Sequence, residues 1–213
     1  DPAVKTGSAG NDDYAGSGYD RGHLAPAADM GWSVASMHDC FYYSNISPQE
    51  PSFNRGVWKR AETLVRNWAV EYQDIYIVTG PVLNQGLPTI GANKVSVPTY
   101  YYKVILNYQN SLGKGIGFII PNCSSSEPLQ SFAVSIDNVE KFTGINFFPL
   151  LPDEQEKNIE SNLNINAWIW KNTSTNSQNS QSTISKQCKG KTKAGNRCKK
   201  RTTSSSGYCN IHQ

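Results

Sequence analysis

The most regular apolar pattern in the chain lies between residues 57 and 72. Apolar side chains recur there at intervals of three and four residues, which is the spacing along one face of an α-helix. The pattern predicts an amphipathic helix of about four turns whose apolar face packs against the protein core. The residues of this face are Val57, Ala61, Leu64, Val65, Trp68, Ala69 and Tyr72.

Short runs of aromatic and β-branched residues predict strands on either side of this helix. They cover residues 40–46, 74–79, 99–106 and 116–120. Weaker helical patterns occupy residues 136–143 and 152–163. Residues 1–18 are rich in Gly, Ser, Asp and Asn and are predicted to form a loop. Strands interleaved irregularly with helices predict an α+β fold around a mainly antiparallel sheet.

Polar residues dominate the stretch from 172 to 187, where Ile184 is the single aliphatic side chain. Such a stretch cannot bury enough apolar surface to offset the conformational entropy that it loses on ordering. We therefore expect three parts in this 213-residue chain: a domain over residues 1–171, a disordered linker over 172–187 and a small module over 188–213. No apolar run reaches the length that a transmembrane helix needs, so we expect no membrane span.

Basic charge is concentrated at the C-terminal end of the chain. Residues 186–213 contain eight Lys and Arg residues and no Asp or Glu, whereas residues 1–185 contain 12 basic and 17 acidic residues. A basic tail on a mildly acidic body favours binding to polyanions, with nucleic acid ahead of an anionic membrane surface. A tail that serves only solubility is the alternative interpretation.

Three of the five cysteines lie in this tail, at Cys188, Cys198 and Cys209, and His212 follows them. Three thiolates and an imidazole can provide the four ligands of a tetrahedral structural Zn²⁺ ion. A segment of this size cannot form a sufficient hydrophobic core, so bound metal would stabilise it. The spacing is longer than in most zinc fingers, and a disulfide or free thiols are the alternatives.

Two blocks in the first domain combine side chains that can perform acid–base chemistry and bind a metal. The first block is Asp20-Arg21-Gly22-His23, which follows a glycine-rich stretch. A lone histidine is more often structural than catalytic, and the same is true of an Asp–Arg pair. The first block therefore indicates catalysis only in combination with the second block. The second block consists of Asn45, Pro48, Gln49, Asn54, Gly56, Trp58, Glu62 and Arg66.

The spacing within the second block predicts a shared helical face. Asn54, Glu62 and Arg66 stand at intervals that are multiples of four, so an amide, a carboxylate and a guanidinium would lie along one stripe. An exposed Glu62–Arg66 pair by itself is common and contributes only about 0.3 to 0.5 kcal/mol.

The available donor atoms limit the chemistry further. The chain has only three histidines, at positions 23, 38 and 212, so the first domain cannot form a multi-histidine zinc centre. Asn54 and Glu62 offer hard oxygen donors that suit Mg²⁺, Mn²⁺ or Ca²⁺. The sequence contains no Gly-x-Ser-x-Gly elbow, Walker loop or helix-opening Gly-x-Gly-x-x-Gly. Once acyl hydrolases, nucleotide-driven enzymes and dinucleotide enzymes are disfavoured, phosphodiester hydrolysis is the reaction that these residues fit.

Together the two blocks resemble the DNA/RNA non-specific endonuclease family, a member of the ββα-metal (His-Me finger) superfamily. The resemblance extends over roughly residues 1 to 170. It implies a ββα core, in which a strand, a loop and the helix from about residue 56 place a metal ligand opposite the histidine.

The resemblance also implies a role for each site residue. His23 would be the general base for water, and Asn54 the direct ligand of one Mg²⁺ or Mn²⁺ ion. Glu62 would hold a water of that metal, and Arg66 would contact the phosphate. Asp20 and Arg21 would shape and charge the loop, and Asn45 and Gln49 would orient the site. DNA and RNA would both be cut, leaving 5′-phosphate ends, because the site grips the phosphodiester rather than the bases.

One departure from the family pattern leaves a second function open. Family members have a further phosphate-contacting arginine before the first block, but residues 1–20 contain no Arg. Either the opening strands of the domain and this arginine are missing from the sequence, which the absent initiator Met favours, or a different residue compensates. The alternative to an active nuclease is a nucleic-acid-binding protein with an incomplete or inactive nuclease domain. A membrane-surface module is the third interpretation.

Overall fold

Backbone contacts divide the chain into two units, Asp1–Trp170 and Lys171–Gln213. The computed structural model describes residues 1–109 and 112–170 of the first unit. Of the second unit it describes residues 186–187, 189–191, 195–198 and 201–202.

The first unit contains five α-helices and eight strands in its described residues. The helices are α1 (Asn11–Tyr14), α2 (Val34–Asp39), α3 (Lys59–Tyr72), α4 (Ile136–Thr143) and α5 (Asp153–Ser161). The strands are β1 (Asp20–His23), β2 (Ile46–Gln49), β3 (Tyr76–Pro81), β4 (Thr89–Ile90), β5 (Val95–Ser96), β6 (Tyr100–Gln109), β7 (Leu112–Pro121) and β8 (Ala133–Val134). Of the helices in the described part of the chain, none has both the length and the apolar content needed to cross a bilayer.

The centre of the first unit is an antiparallel sheet in the order β3–β6–β7–β8. Side chains alternate between the two faces of β6, as the pleat requires. Tyr101 and Ile105 join one hydrophobic core, while Tyr102 and Val104 join the other. Helices cover both faces of an antiparallel sheet, so the predicted α+β fold is confirmed.

Helix α3 covers the first face of this sheet. Its apolar stripe is buried as predicted, with Trp68 only 1% exposed. Trp68 stacks on Trp168 with ring centroids 4.4 Å apart, and its indole nitrogen donates to the carbonyl of Ile169. Burying a large apolar side chain contributes about 1.5 to 3 kcal/mol, so this face holds α3 firmly against the sheet.

Helices α4 and α5 cover the opposite face of the sheet. Ile136 and Val139 of α4 and Ile159 of α5 are buried there. Glycines on this face of β7 let the helices approach closely, because a Cβ atom at Gly115 would stand 2.5 Å from Cδ1 of Ile136. The first and second cores therefore lie on opposite sides of the sheet.

Strands β1 and β2 form a separate antiparallel pair that precedes α3. The register places Asp20 opposite Gln49 and His23 opposite Ile46. The hydroxyl of Tyr101 in β6 bonds to Ser47 and donates to the carbonyl of Pro48, which anchors the pair to the central sheet. The order β1–β2–α3 matches the ββα core that the resemblance implied.

Two local predictions were wrong. Residues 40–46 do not form a strand: α2 ends at Asp39, a 3₁₀ turn spans Tyr43–Asn45, and β2 begins only at Ile46. The side-chain amide of Asn45 donates to the carbonyls of Ala25 and Cys40 and holds this turn together, which overrides the strand propensity of the aromatic residues. The predicted loop over residues 1–18 contains the short helix α1.

The second unit has one described antiparallel pair, β9 (Lys186–Gln187) with β10 (Arg201–Thr202). The first of these strands occupies the last two positions of the predicted linker, and the rest of that linker lies outside the described residues. Three of the predicted zinc ligands, Cys188, Cys209 and His212, also lie outside them. Cys198 is buried, and its backbone nitrogen donates to the carbonyl of Gly190. Zinc binding by this unit stays a prediction.

Candidate active site

A cleft of about 830 Å³ brings His23 and Asn54 together. Arg21 and His23 reach it from alternate positions of β1, and Asn54 reaches it from the turn before α3. The other residues that line the cleft are Asn11, Tyr14, Ala15, Tyr19, Asp20, Phe41, Tyr43, Ile46 and Arg55. The predicted base and the predicted metal ligand thus face the same space.

The imidazole of His23 is partly buried at the wall of this cleft. Its ring packs edge-on against Phe41, with centroids 4.8 Å apart. Nε2 is buried, and it has no hydrogen-bond partner within the described part of the chain. Burial, and then the positive charge of Arg21, lowers the pKa of His23 below its ordinary value of 6.5. The ring is therefore neutral at pH 7, as a general base requires.

Asp20 organises the part of the cleft that contains Asn54. Its carboxylate accepts a hydrogen bond from Nδ2 of Asn54 at 2.9 Å. Arg55 donates to the two oxygens of Asp20 through Nε and Nη2, at 2.8 and 2.6 Å. Burial alone would raise the pKa of Asp20, but the hydrogen bonds from Arg55 and Asn54 and the charge of Arg55 hold it below its ordinary value. Asp20 is therefore ionised at neutral pH.

The turn that presents Asn54 is not a continuation of α3. Residues Phe53–Trp58 form a π-helical turn in which Gly56 departs from helical geometry, with φ −106° and ψ −106°. Phe53 and Trp58 are fully buried and anchor the turn, their rings 5.2 Å apart. Because the turn interrupts the helix, the predicted single stripe does not form, and Asn54 lines a different cavity from Glu62.

Arg21 lies at the exposed edge of the cleft, on the same face of β1 as His23. Its Nη1 atom donates to Oδ1 of Asn11 at 2.5 Å, and the hydroxyl of Tyr43 donates to the same oxygen at 2.7 Å. One amide oxygen thus holds the guanidinium and the phenol side by side. This arrangement presents a positive charge where a phosphate could enter.

Asn45 fixes the chain that follows His23. Its Nδ2 atom donates to the carbonyls of Ala25 at 3.0 Å and Cys40 at 2.8 Å, and its Oδ1 atom accepts from the backbone nitrogen of Ala25 at 2.9 Å. The backbone nitrogen of Leu24 also donates to the carbonyl of Asn45. Asn45 therefore acts on the site through the backbone, from a position beside the cleft.

Gln49 lies beneath the strand that carries His23. It is fully buried, and a Cβ atom at Gly22 would stand only 2.1 Å from its Cδ atom. Glycine at position 22 therefore allows β1 to pass directly over the Gln49 side chain. Both polar atoms of the Gln49 amide are buried, and neither has a hydrogen-bond partner within the described residues.

Glu62 lines a second cavity, of about 460 Å³, and Arg66 is joined to this cavity through its ion pair with Asp29. Residues 24–26, which follow His23 directly, line this cavity together with Glu62 and Asp29. Arg66 pairs with Asp29 through a short contact between its Nε atom and Oδ1 of the carboxylate. The structure thus brings His23, Arg21, Asp20 and Asn54 together in one cleft and places Glu62 and Arg66 beside a neighbouring one.

A buried lysine lies at the base of the second cavity. Lys103 is 2% exposed, its Nζ atom donates to Oγ1 of Thr79 at 3.1 Å, and it stands 4.3 Å from the ring centre of Trp58. Burial lowers the pKa of Lys103 to about 8, against the opposing effect of Glu62. Burial also raises the pKa of Glu62, while Lys103 and Arg66 oppose that rise. Lys103 and Glu62 carry opposite charges, and each shifts the pKa of the other in the direction that favours its charged form.

The donor atoms at the first cleft fit a hard divalent cation. Asn54 donates to Asp20 through its amide nitrogen, so its amide oxygen is the atom left to bind a metal. Among the described residues that line the cleft there is no cysteine and no histidine other than His23, so a soft metal would find few ligands. Mg²⁺ and Mn²⁺ accept one or two protein oxygens and keep several waters, which matches this set.

Several residues of the site were missed at the sequence level. Arg55 follows Asn54 directly but shows no periodic signal, and Asn11 lies in a segment predicted to be a loop. Asp29 was also missed, because an aspartate in a polar turn is common and does not by itself indicate a role in a site. Lys103 could have been recognised, because it is the one charged residue in the largely apolar and aromatic predicted strand 99–106. A lysine is rarely buried in such a strand unless it has a polar or charged partner.

The chain matches a protein family and several known proteins in sequence. A profile of the DNA/RNA non-specific endonuclease family matches residues 1–154. The mitochondrial endonuclease G of Homo sapiens is 38% identical over 159 residues, covering 66% of this chain and 52% of that protein. Nuclease C1 of Cunninghamella echinulata var. echinulata is 40% identical over 155 residues, covering 65% of this chain and 60% of that protein.

The fold also has a solved counterpart. The structure of an EndoG/EndoGI complex, described as showing the mechanism of EndoG inhibition, contains a chain that superposes with a TM-score of 0.64 at 34% identity. The match covers 69% of this chain and 66% of that one. This chain spans about half the length of human endonuclease G. With a family profile that covers most of its length, the chain belongs to the DNA/RNA non-specific endonuclease family.

Proposed function

We propose that this chain is a metal-dependent endonuclease that hydrolyses the phosphodiester bonds of both DNA and RNA. The observation that supports it best is the shared cleft of His23 and Asn54, in which Asp20 sets the orientation of the Asn54 amide. A neutral imidazole and an oxygen ligand for a cation on two sides of one open cleft are the requirements of hydrolysis at phosphorus.

His23 acts as the general base. Because its Nε2 atom is buried, Nδ1 is the ring nitrogen that can face the cleft and accept a proton from water. The low pKa of His23 keeps that nitrogen unprotonated at neutral pH. Phe41 restricts the ring through its edge-on contact, which limits the loss of orientation during the reaction.

Asn54 would hold the cation through Oδ1, and Asp20 keeps that amide in place. A bound Mg²⁺ or Mn²⁺ would stabilise the negative charge that develops on the phosphate and on the leaving 3′ oxygen, so that the products carry 5′-phosphate and 3′-hydroxyl ends. Arg21 attracts the phosphate to the edge of the cleft.

Glu62 and Arg66 contribute from the neighbouring cavity. Glu62 would order water next to the cation, and Arg66 would contact the substrate phosphate. Arg66 must exchange its present partner, Asp29, for the phosphate in order to do so. Substitution of Asp29 therefore tests whether this ion pair restrains Arg66.

The residues of the cleft support cleavage of both deoxyribose and ribose polymers. Its charged and polar groups suit a phosphate and a cation, which DNA and RNA share. We therefore expect comparable cleavage of single sequences presented as DNA or as RNA. The basic residues of the tail, eight over positions 186–213, would raise the local concentration of either polymer.

Plasmid nicking tests the proposal. The wild-type chain is treated with EDTA and then incubated with supercoiled plasmid with and without Mg²⁺, beside His23→Ala, Asn54→Ala and the matched control His38→Ala. His38 is exposed and lines neither of the two cavities, so its loss should leave nicking unchanged. Nicks that DNA ligase can reseal indicate 5′-phosphate and 3′-hydroxyl ends. Equal nicking by wild type and His23→Ala would contradict the proposal.

The concentration of positive charge in the tail favours a second candidate, a nucleic-acid-binding protein whose nuclease domain is inactive. This candidate predicts that the wild-type chain retards DNA on a gel but does not nick it at any Mg²⁺ or Mn²⁺ concentration. Deleting residues 186–213 should weaken DNA binding mainly at low salt, because phosphate contacts release counterions. Binding that is unchanged by the deletion would remove the tail from either function.

A further inference from the structure

A cluster of three carboxylates lies on the face of the central sheet opposite α3. Asp137 and Glu140 belong to α4, and Glu160 belongs to α5. One carboxylate oxygen of each residue lies within 4.8 Å of the others. None of the three lines the cleft of His23 and Asn54. The cluster therefore joins two helices at a place that the proposed reaction does not use.

Glu160 is the member of this cluster that needs a partner. It is only 4% exposed, and its Oε1 atom is buried with no hydrogen-bond partner within the described residues. Glu140 is partly committed, since one of its oxygens accepts a hydrogen bond from the backbone nitrogen of Phe147 at 2.7 Å. No ion pair among the described residues includes any of the three carboxylates. A buried carboxylate oxygen that lacks both water and a donor is unfavourable.

Electrostatics around Glu160 point the same way. Burial, followed by the negative charges of Glu140, Glu156 and Asp137, raises the pKa of Glu160 to about 8. Within the described part of the chain, no basic side chain opposes this rise. Without a cation, the folded chain must either leave three close negative charges unbalanced or hold a proton on Glu160 at neutral pH.

We propose that Asp137, Glu140 and Glu160 bind a divalent cation, Ca²⁺, which ties α4 to α5. The donors are all carboxylate oxygens, which excludes a preference for Zn²⁺ or other soft metals. Ca²⁺ accepts irregular sets of six to eight oxygens, whereas Mg²⁺ requires near-octahedral geometry at short distances. Water and the free oxygens of the three carboxylates complete the coordination. The ion offsets two of the three negative charges and satisfies the buried oxygen of Glu160.

The expected consequence of this site is structural. Helices α4 and α5 pack on β7 through Ile136, Val139 and Ile159, and the cluster is the polar counterpart of that apolar contact. A cation bound to both helices stabilises the folded chain by mass action, because the unfolded chain holds no such arrangement. Calcium should therefore raise the melting temperature without being needed for hydrolysis.

Calorimetric titration of Ca²⁺ into EDTA-treated protein tests the proposal. The parent for this experiment is the full chain with Asn54→Ala, because a cation at the candidate active site would otherwise bind as well. We expect the parent to bind one Ca²⁺ per chain and its melting temperature to rise by several degrees. Glu160→Gln in the same background should bind no Ca²⁺ and should not respond. Calcium binding that is equal in the two proteins would overturn the proposal.

A matched control and a second variant keep the test decisive. Glu154→Gln removes an exposed carboxylate of α5 outside the cluster and should leave Ca²⁺ binding unchanged. If Glu160→Gln does not fold, Asp137→Asn is measured in its place. We expect this variant to lose at least tenfold in Ca²⁺ affinity, and an unchanged affinity would also overturn the proposal. A proton held on Glu160 in place of a cation predicts that the parent binds no Ca²⁺ at pH 7, which is a third contradicting outcome.

Discussion

The carboxylate of Asp20 accepts a hydrogen bond of 2.9 Å from the amide nitrogen of Asn54, 34 residues further along the chain. This bond decides which end of the Asn54 amide faces the cleft, since the nitrogen is engaged and the oxygen is free to bind a cation. Arg55, the next residue, grips both oxygens of Asp20 and keeps the carboxylate in place. Asp20 is thus a positioning residue for the candidate metal ligand.

Replacing Asp20 should therefore weaken metal binding more than folding. Asp20→Ala frees the Asn54 amide to rotate, and losses of about 10- to 100-fold in metal affinity are typical when such a supporting partner is removed. We expect the Mg²⁺ concentration for half-maximal nicking to rise by a similar factor. Asp20→Asn, whose amide oxygen can still accept from Asn54, should lose less. An unchanged Mg²⁺ requirement in Asp20→Ala would show that Asp20 does not position Asn54.

The pH dependence of cleavage should depend on Arg21. His23 accepts a proton only when neutral, so kcat/KM should fall as the pH falls through the His23 pKa, which lies below 6.5. Arg21→Gln removes the positive charge that disfavours protonation of His23, so the acid limb of the profile should move to higher pH. Arg21→Lys keeps the charge and should keep the limb. The position of the acid limb is measured from cleavage rates of one substrate at several pH values. The rates of each protein are normalised to the maximum rate of that protein.

Lys103 and Glu62 should be energetically coupled. Lys103→Met removes the positive charge that lowers the Glu62 pKa most, and we expect a coupling of about 1 to 3 kcal/mol in a double-mutant cycle with Glu62→Gln. The coupling requires an ionised Glu62, whose pKa is raised above 4.5, and a charged Lys103, whose pKa is about 8. It should therefore be present near pH 7 and fade both at acidic pH and above pH 8. Urea unfolding of the four proteins at several pH values measures it.

Gly22 should be required for stability as well as for the site. An added Cβ would stand 2.1 Å from the buried Gln49 side chain, which cannot move without disturbing β1 and β2. We expect Gly22→Ala to destabilise the chain by about 1 to 3 kcal/mol. Gly31→Ala is the matched control, because a Cβ there meets no atom within 4 Å. Equal free energies of unfolding for the two variants would refute the close packing of Gly22 on Gln49.

The sequence by itself determined the elements whose pattern is local. The apolar stripe of α3 and the bounds of α4 follow from side-chain periodicity, and the paired motifs around His23 and Asn54 indicated the family. These signals are readable because a helix repeats every 3.6 residues and because rare combinations of reactive side chains need no three-dimensional context.

Only the tertiary structure decided how the site residues divide between two cavities. The irregular turn at Gly56 separates Asn54 from the face of α3 that bears Glu62, and no helical spacing could reveal that interruption. The partners of Asp20, Arg66 and Glu160 come from distant segments or other helices, so chain packing alone brings their charges together. Contacts between residues far apart in sequence depend on how the sheets and helices pack, which local patterns do not encode.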